Sequence, residues 1–262
     1  MKILLTNDDG INAPGIRALF RALDGLGEIT VVAPYSVQSA TSHGITFHEP
    51  MMLHTETMDD GSTGYAIDGR PADCVKVAMR SLWEELHGEG SRPDITISGM
   101  NGGSNVGVNV IYSGTVGAAV ESAFLGIPSI AVSLHLGDRT KICWDRAATI
   151  ARVGIDRILE HQLDPHAVIN LNVPRTESED APMPPMKVVP MNTAHGLSNY
   201  DKRESPDGQV YYWAKGDGMA FAHTTPGTDV EALWDRSMTI TPLEFDLTDY
   251  ARMQSWRERI EQ

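Results

Sequence analysis

The chain has 262 residues, enough to bury the core of one large α/β domain with a smaller extension, and too few for a second independent enzyme domain. Its 35 acidic and 21 basic side chains leave a net charge of -14, so it repels the backbone of long DNA or RNA, and a small anion needs a local cation or helix N-terminus to approach. The only cysteines, Cys74 and Cys143, exclude a disulfide framework and a thiolate metal centre and suit a reducing compartment.

Residues 3–5 read as a short buried strand. The apolar run there is too short for a signal peptide, and no stretch approaches membrane-spanning length, so a cytoplasmic protein with no membrane partner is expected. The loop Asn7-Asp8-Asp9-Gly10 follows, then a helix opened by Pro14, with Leu19, Phe20, Leu23 and Leu26 as its apolar stripe. A second buried strand at 29–33 completes a β-α-β unit, which implies parallel pairing.

The alternation continues with a helix over 72–86, a strand at 95–98, a helix over 114–125 and a strand at 129–133. A helix over 144–161 and a strand at 168–171 close the series. This order predicts a three-layer α/β/α sandwich on a Rossmann-like, mostly parallel sheet. Residues 176–186 are acidic and rich in proline (Pro182, Pro184, Pro185), which ends regular structure and divides the chain into 1–175 and 176–262. Beyond that boundary, 210–213 and 238–240 read as two strands of an appended hairpin.

Ligands of open α/β sheets gather at the carboxyl ends of the strands, and two polar clusters fall there. In Asn7-Asp8-Asp9-Gly10, two adjacent carboxylates repel unless a cation neutralises them, and oxygen donors suit Mg²⁺, Mn²⁺ or Ca²⁺ better than zinc. Taken alone, the tetrapeptide reads first as a turn and helix cap. The second cluster, Ser98 to Gly107, offers glycines for close backbone approach and asparagines for hydrogen bonding, but no Gly-Lys-Ser/Thr follows and it is not a nucleotide P-loop. Behind it, Tyr112-Ser113-Gly114-Thr115-Val116 opens a helix whose free amides and hydroxyls suit a phosphate. Simple capping by Ser113 or Thr115 explains that segment as well. Neither Ser104 nor Ser113 lies in Gly-x-Ser-x-Gly, and the nine histidines are scattered, so no serine-hydrolase or histidine role is assigned.

Together the clusters resemble the stationary-phase survival protein SurE family of 5'/3'-nucleotidases. The matching segments are Ile3 to Gly10 with Ala13-Pro14-Gly15-Ile16, Val31 to Pro34 with Gln38-Ser39, and Pro71 to Val75. They continue through Ser98-Gly99-Met100-Asn101, Tyr112 to Glu121 and Gly126 to Ser133, then thin to Asn170 to Pro174, Thr228-Asp229 and Ile240 to Leu243. The resemblance implies one divalent cation per subunit, Mg²⁺ or Mn²⁺, held by Asp8, Asp9, Ser39 and Asn101. It also implies a substrate phosphate gripped by Asn105, Ser113, Gly114 and Thr115, with Asp8 or Asp9 as the base in hydrolysis of a nucleoside monophosphate. A homodimer or homotetramer joined by an exchanged C-terminal hairpin is implied as well. Broader phosphomonoester or short-polyphosphate hydrolysis on the same site, or nucleotide binding without turnover, are the alternatives. Ala40, Arg70, Asn109 and the segment Asp235-Arg236-Ser237-Met238 depart from the family pattern, Ala40 and the last segment by lacking an expected glycine.

Overall fold

The computed structural model describes residues 1–196, 199–216 and 218–261. Strand β1 (Lys2–Thr6), helix α1 (Pro14–Ala22) and strand β2 (Glu28–Pro34) form the expected opening unit, with β1 and β2 parallel. Pro14 stands at the start of α1, where a missing N–H costs nothing. An antiparallel pair, β3 (Leu53–Thr57) and β4 (Thr63–Ile67), then adds to the β2 edge. Sequence patterning misses this pair because β3 is mostly exposed and lacks an apolar face.

Helices α2 (Pro71–Val77) and α3 (Trp83–His87) are joined through a π-helical turn, Ala78–Leu82. Strand β5 (Ile95–Gly102), helix α4 (Gly114–Phe124), strand β6 (Ser129–Leu134), helix α5 (Trp144–Leu159) and strand β7 (Val168–Val173) complete the alternating series. Then come β8 (Met186–Val188), β9 (Asn199–Glu204), β10 (Val210–Lys215), α6 (Asp229–Trp234), β11 (Met238–Leu243) and α7 (Tyr250–Ile260).

The main sheet has nine strands in the order β3-β4-β2-β1-β5-β6-β7-β11-β8. Alternate residues of β1 separate its two faces. Ile3 and Leu5 pack with Ile16, Leu19 and Ile155 of α1 and α5, whereas Leu4 packs with Cys74, Val75 and Ala118 of α2 and α4. Helices therefore cover both faces, and the three-layer sandwich is present.

One pairing differs from expectation. Residues 210–213 and 238–240 do not form a hairpin with each other: β10 pairs with β9, while β11 enters the main sheet antiparallel to β7 and parallel to β8. The reason is burial. Met238 and Thr239 are sealed in the sheet, while the β9 sequence Asn-Tyr-Asp-Lys-Arg-Glu carries no apolar alternation to betray a strand. The β9–β10 hairpin is the true excursion, and β8 and β11 return to the sheet from beyond residue 176. Among the described residues no helix is long and apolar enough to cross a membrane.

The chain leaves β1 toward β2 on one side and β5 on the other, so the strand order switches beside β1 and opens a crevice at its carboxyl end. Two glycines shape this crevice. In β5 the register against β6 slips between Ser98 and Asn101, a bulge in which Gly99 has φ +143° and a Cβ would lie 2.2 Å from the Val132 carbonyl oxygen. Gly15 lets α1 press on the same strand, since a Cβ there would lie 2.0 Å from the Met100 carbonyl oxygen and 3.0 Å from the Trp144 ring. We expect Gly15→Ala to lower the unfolding free energy by about 1–3 kcal/mol in urea titrations, the usual cost of overpacking.

Candidate active site

The crevice is a cleft of about 610 Å³ whose wall includes Asp8, Asp9, Ser39, Asn101, Asn105 and Ser113. Each reaches it from the carboxyl end of a strand or from the loop that follows. Asp8 and Asp9 follow β1, Ser39 follows β2, Asn101 lies near the end of β5, Asn105 in the loop beyond it and Ser113 at the start of α4. The Gln38 N–H donates to the Asp8 carbonyl at 2.7 Å, which fastens the Ser39 loop to the acidic turn.

Asp8 is buried at 5% exposure and accepts a hydrogen bond from the Thr115 hydroxyl at 2.5 Å. Burial, and to a smaller degree the neighbouring charge of Asp9, raise its pKa from 3.8 to about 6 against the stabilising hydrogen bonds from Thr115. Asp9 Oδ2 accepts from the Gly102 N–H at 2.8 Å, so the β5 bulge also orients the second carboxylate. The Asn101 amide nitrogen donates to the Gly103 carbonyl at 2.6 Å, which fixes the side chain through its nitrogen.

Asn105 is anchored from the neighbouring strands. Its carbonyl accepts from the amide groups of Asn170 and Asn172, its N–H donates to Asn172, and its side chain donates to Ser133 Oγ at 2.9 Å. Ser113 caps α4, its hydroxyl accepting from the Val116 N–H at 3.1 Å, and it also faces the cleft. The capping reading of that serine therefore holds, and its place on the wall leaves it within reach of the cleft. Gly114 lies against Asp8, where a Cβ would come within 2.9 Å of the Asp8 Cβ. Thr115 is fully buried and spends its hydroxyl on Asp8, so its side chain supports the carboxylate.

The donor set suits a hard cation. Two carboxylates, a hydroxyl and a carboxamide converge, and Arg139 is the one cationic side chain on the wall among the described residues. Among the described residues no group of three or more His, Cys, Asp or Glu could hold a metal, so the case rests on two acids completed by neutral oxygens.

The four departures from the family pattern acquire physical meanings. Ala40 on the cleft wall and Arg236 have φ of +57° and +58°, a left-handed conformation that glycine adopts freely and that costs other residues about 1–2 kcal/mol. The backbone shape is kept without the glycine. Asn109 donates its side-chain amide to the Gly218 carbonyl beyond β10, a bond an aspartate could not donate. Arg70 is exposed and lines a neighbouring hollow with Gln38 and Ile45 instead of this cleft.

Asp229 was not marked as functional by its residue pattern. Its buried carboxylate accepts from the N–H groups of Gly107 at 2.7 Å, Asn192 at 2.8 Å and Val230 at 2.8 Å. Burial raises its pKa in spite of those bonds. It joins the loop after β5 to both ends of the segment that carries the β9–β10 hairpin. His135, immediately after β6, lies on the cleft wall and is a second residue that pattern reasoning left unassigned, although its place at the carboxyl edge of the sheet was the available signal.

This fold and cleft define a three-layer α/β protein with two adjacent carboxylates and the start of a helix on one cleft wall. The family model described as Survival protein SurE matches residues 3–196. A 5'-nucleotidase SurE of Rhodopirellula baltica is 41% identical over 99% of this chain and 100% of its own length. A 5'-nucleotidase SurE of Heliobacterium modesticaldum is 41% identical over 97% of this chain and 90% of its own. The crystal structure of a SurE protein from Aquifex aeolicus superposes with a TM-score of 0.80 at 34% identity, covering 99% of both chains. The chain belongs to the SurE family.

The raised pKa of Asp8 has a sign that can be tested. Between about pH 4 and 6 the folded state holds a proton that the unfolded state has released, so the Asp8 contribution becomes unfavourable as pH rises through that window, by on the order of 3 kcal/mol. In chelator, Asp8→Asn should therefore gain stability relative to the parent as pH goes from 4 to 6. A difference in unfolding free energy that stays flat across this range would refute the assignment.

Proposed function

We propose that this chain is a divalent-metal-dependent 5'-nucleotidase that hydrolyses nucleoside monophosphates to nucleoside and phosphate, and that it also accepts 3'-monophosphates. The observation that carries this reading is the convergence of Asp8, Asp9, Ser39 and Asn101 on one cleft wall with Asn105 and Ser113, in a chain of the SurE family. Its relatives' names supply the nucleotide; the donor set supports Mg²⁺ or Mn²⁺.

Asp8, Asp9, Ser39 and Asn101 would hold the cation. When bound, it supplies Lewis acidity and a nucleophile at neutral pH. Asp8 and Asp9 offset the cation's charge, and one of them accepts the proton of the attacking water. Ser113, Asn105 and the amides opening α4 at Gly114 hold the phosphoryl oxygens as charge develops in the transition state. Thr115 keeps the Asp8 carboxylate aimed.

Phosphate release from adenosine monophosphate with Mg²⁺ or Mn²⁺, abolished by EDTA, is the expected result. Asp8→Asn and Asn101→Ala should each lower kcat/KM by about a hundredfold or more, since even outlying partners of metal ligands bring losses approaching that size. Parent rates in both variants would overturn the site. Binding without turnover would favour a nucleotide-binding protein, and a flat profile across phosphomonoesters and short polyphosphates a broader phosphatase.

We also propose a cytoplasmic homodimer or homotetramer joined through the β9–β10 hairpin. Support comes from the side chains of Tyr200, Tyr212 and Trp213, which are 66%, 64% and 62% exposed on that hairpin. Sedimentation equilibrium at micromolar concentration should return a multiple of the 28.6 kDa chain mass. A monomeric mass would overturn the assembly.

A further inference from the structure

His135 is built into the cleft in a way the proposed hydrolysis does not use. It immediately follows β6, and its N–H donates to the Val173 carbonyl at 2.8 Å, so the sheet fixes its backbone. The residue is 5% exposed, yet it forms part of the same wall as Asp8 and Asp9. Its ring Nδ1 is buried with no hydrogen-bond partner among the described residues. A buried polar nitrogen left unpaired costs about 1–3 kcal/mol, a cost that a bound partner would remove.

The kind of partner follows from the charge of the ring. Burial, reinforced by Arg175 and Arg236 and only partly opposed by Glu177, lowers the His135 pKa to about 4, so the imidazole is neutral near pH 7. A neutral imidazole offers one donor and one acceptor. The unpartnered Nδ1 is a donor in one tautomer and an acceptor in the other, and a hydroxyl or the edge of a heterocycle, which both gives and accepts hydrogen bonds, satisfies it in either. A phosphate dianion only accepts, and the start of α4 already serves it. In a nucleoside monophosphate the groups that both give and accept belong to the nucleoside.

We propose that His135 is a specificity-determining residue that hydrogen-bonds the nucleoside portion of the substrate. The inference rests on the nucleotidase reading of the cleft. It places sugar or base recognition on the loop after β6, with Leu136 and Gly137 beside it on the wall.

The test compares the parent with His135→Phe and His135→Asn on adenosine 5'-monophosphate, uridine 5'-monophosphate and p-nitrophenyl phosphate, which carries no nucleoside. His135→Phe should raise KM for both nucleotides about tenfold, equivalent to about 1.4 kcal/mol, while kcat changes little. For p-nitrophenyl phosphate, kcat/KM should stay at the parent value, which also shows that the variant is folded. His135→Asn, which keeps a donor and an acceptor, should recover part of the loss. Adenosine and uridine should inhibit p-nitrophenyl phosphate hydrolysis about tenfold more weakly in His135→Phe than in the parent. Unchanged nucleotide KM, or equal losses on all three substrates, would overturn the assignment. A parent that cleaves p-nitrophenyl phosphate but neither nucleotide would overturn the nucleotidase reading itself, a result distinct from either.

Discussion

Two carboxylates stand side by side at the end of the first strand, and one of them is buried. Withdrawing Asp8 from water raises the free energy of its charged form, and the adjacent Asp9 raises it further. The surrounding structure answers this cost in pieces. Thr115 donates to Asp8, Gly102 donates to Asp9, and Gln38 holds the backbone between them and the Ser39 loop. These bonds lessen the penalty without cancelling it, and the remainder is what a divalent cation in this cleft would neutralise.

The sheet topology is what allows so many segments to answer at one place. Because the strand order switches beside β1, the loops after β1, β2 and β5 open onto the same crevice, and α4 begins at its rim. The β5 bulge at Gly99 lets that strand carry on through Asn101 and Gly102 with its pairing to β6 resumed. Gly15 then keeps α1 close enough to hold the extended strand from one face. Sites made of strand ends inherit the rigidity of the sheet, which suits a reaction that depends on fixed dipoles.

Much of this was legible in the residues. Strands β1, β2, β5, β6 and β7 are buried on both faces, so each appears as an apolar run, and their alternation with helices fixes the fold class. Asp8, Asp9, Asn101 and Ser113 were legible because they stand where such strands end or helices begin. The β3–β4 pair and β9 were not, since their exposed, polar sequences carry no period. Ser39 lies in an irregular loop and was reached only through family resemblance. The hydrogen bond from Thr115 to Asp8 spans 107 residues and that from Gly107 to Asp229 spans 122, so no local pattern encodes either one. His135 was passed over for the opposite reason: a scattered histidine looks ordinary until its burial is seen.

The carboxylate of Asp229 works as a clasp. It grips the chain at Asn192, before the β9–β10 excursion, and at its own backbone neighbour Val230 after it, and it ties both to Gly107 beside the cleft. A protrusion whose two roots are pinned at one point behaves as a closed loop mounted on the body. The stretch after β10 folds back from it onto the cleft, where Gly216, Gly218 and Met219 form part of the wall and the Gly218 carbonyl accepts from Asn109. A single acidic side chain thus joins the cleft to the excursion, and whatever engages the hairpin reaches the wall shared with Asp8 and Asp9 through Gly216 and Gly218.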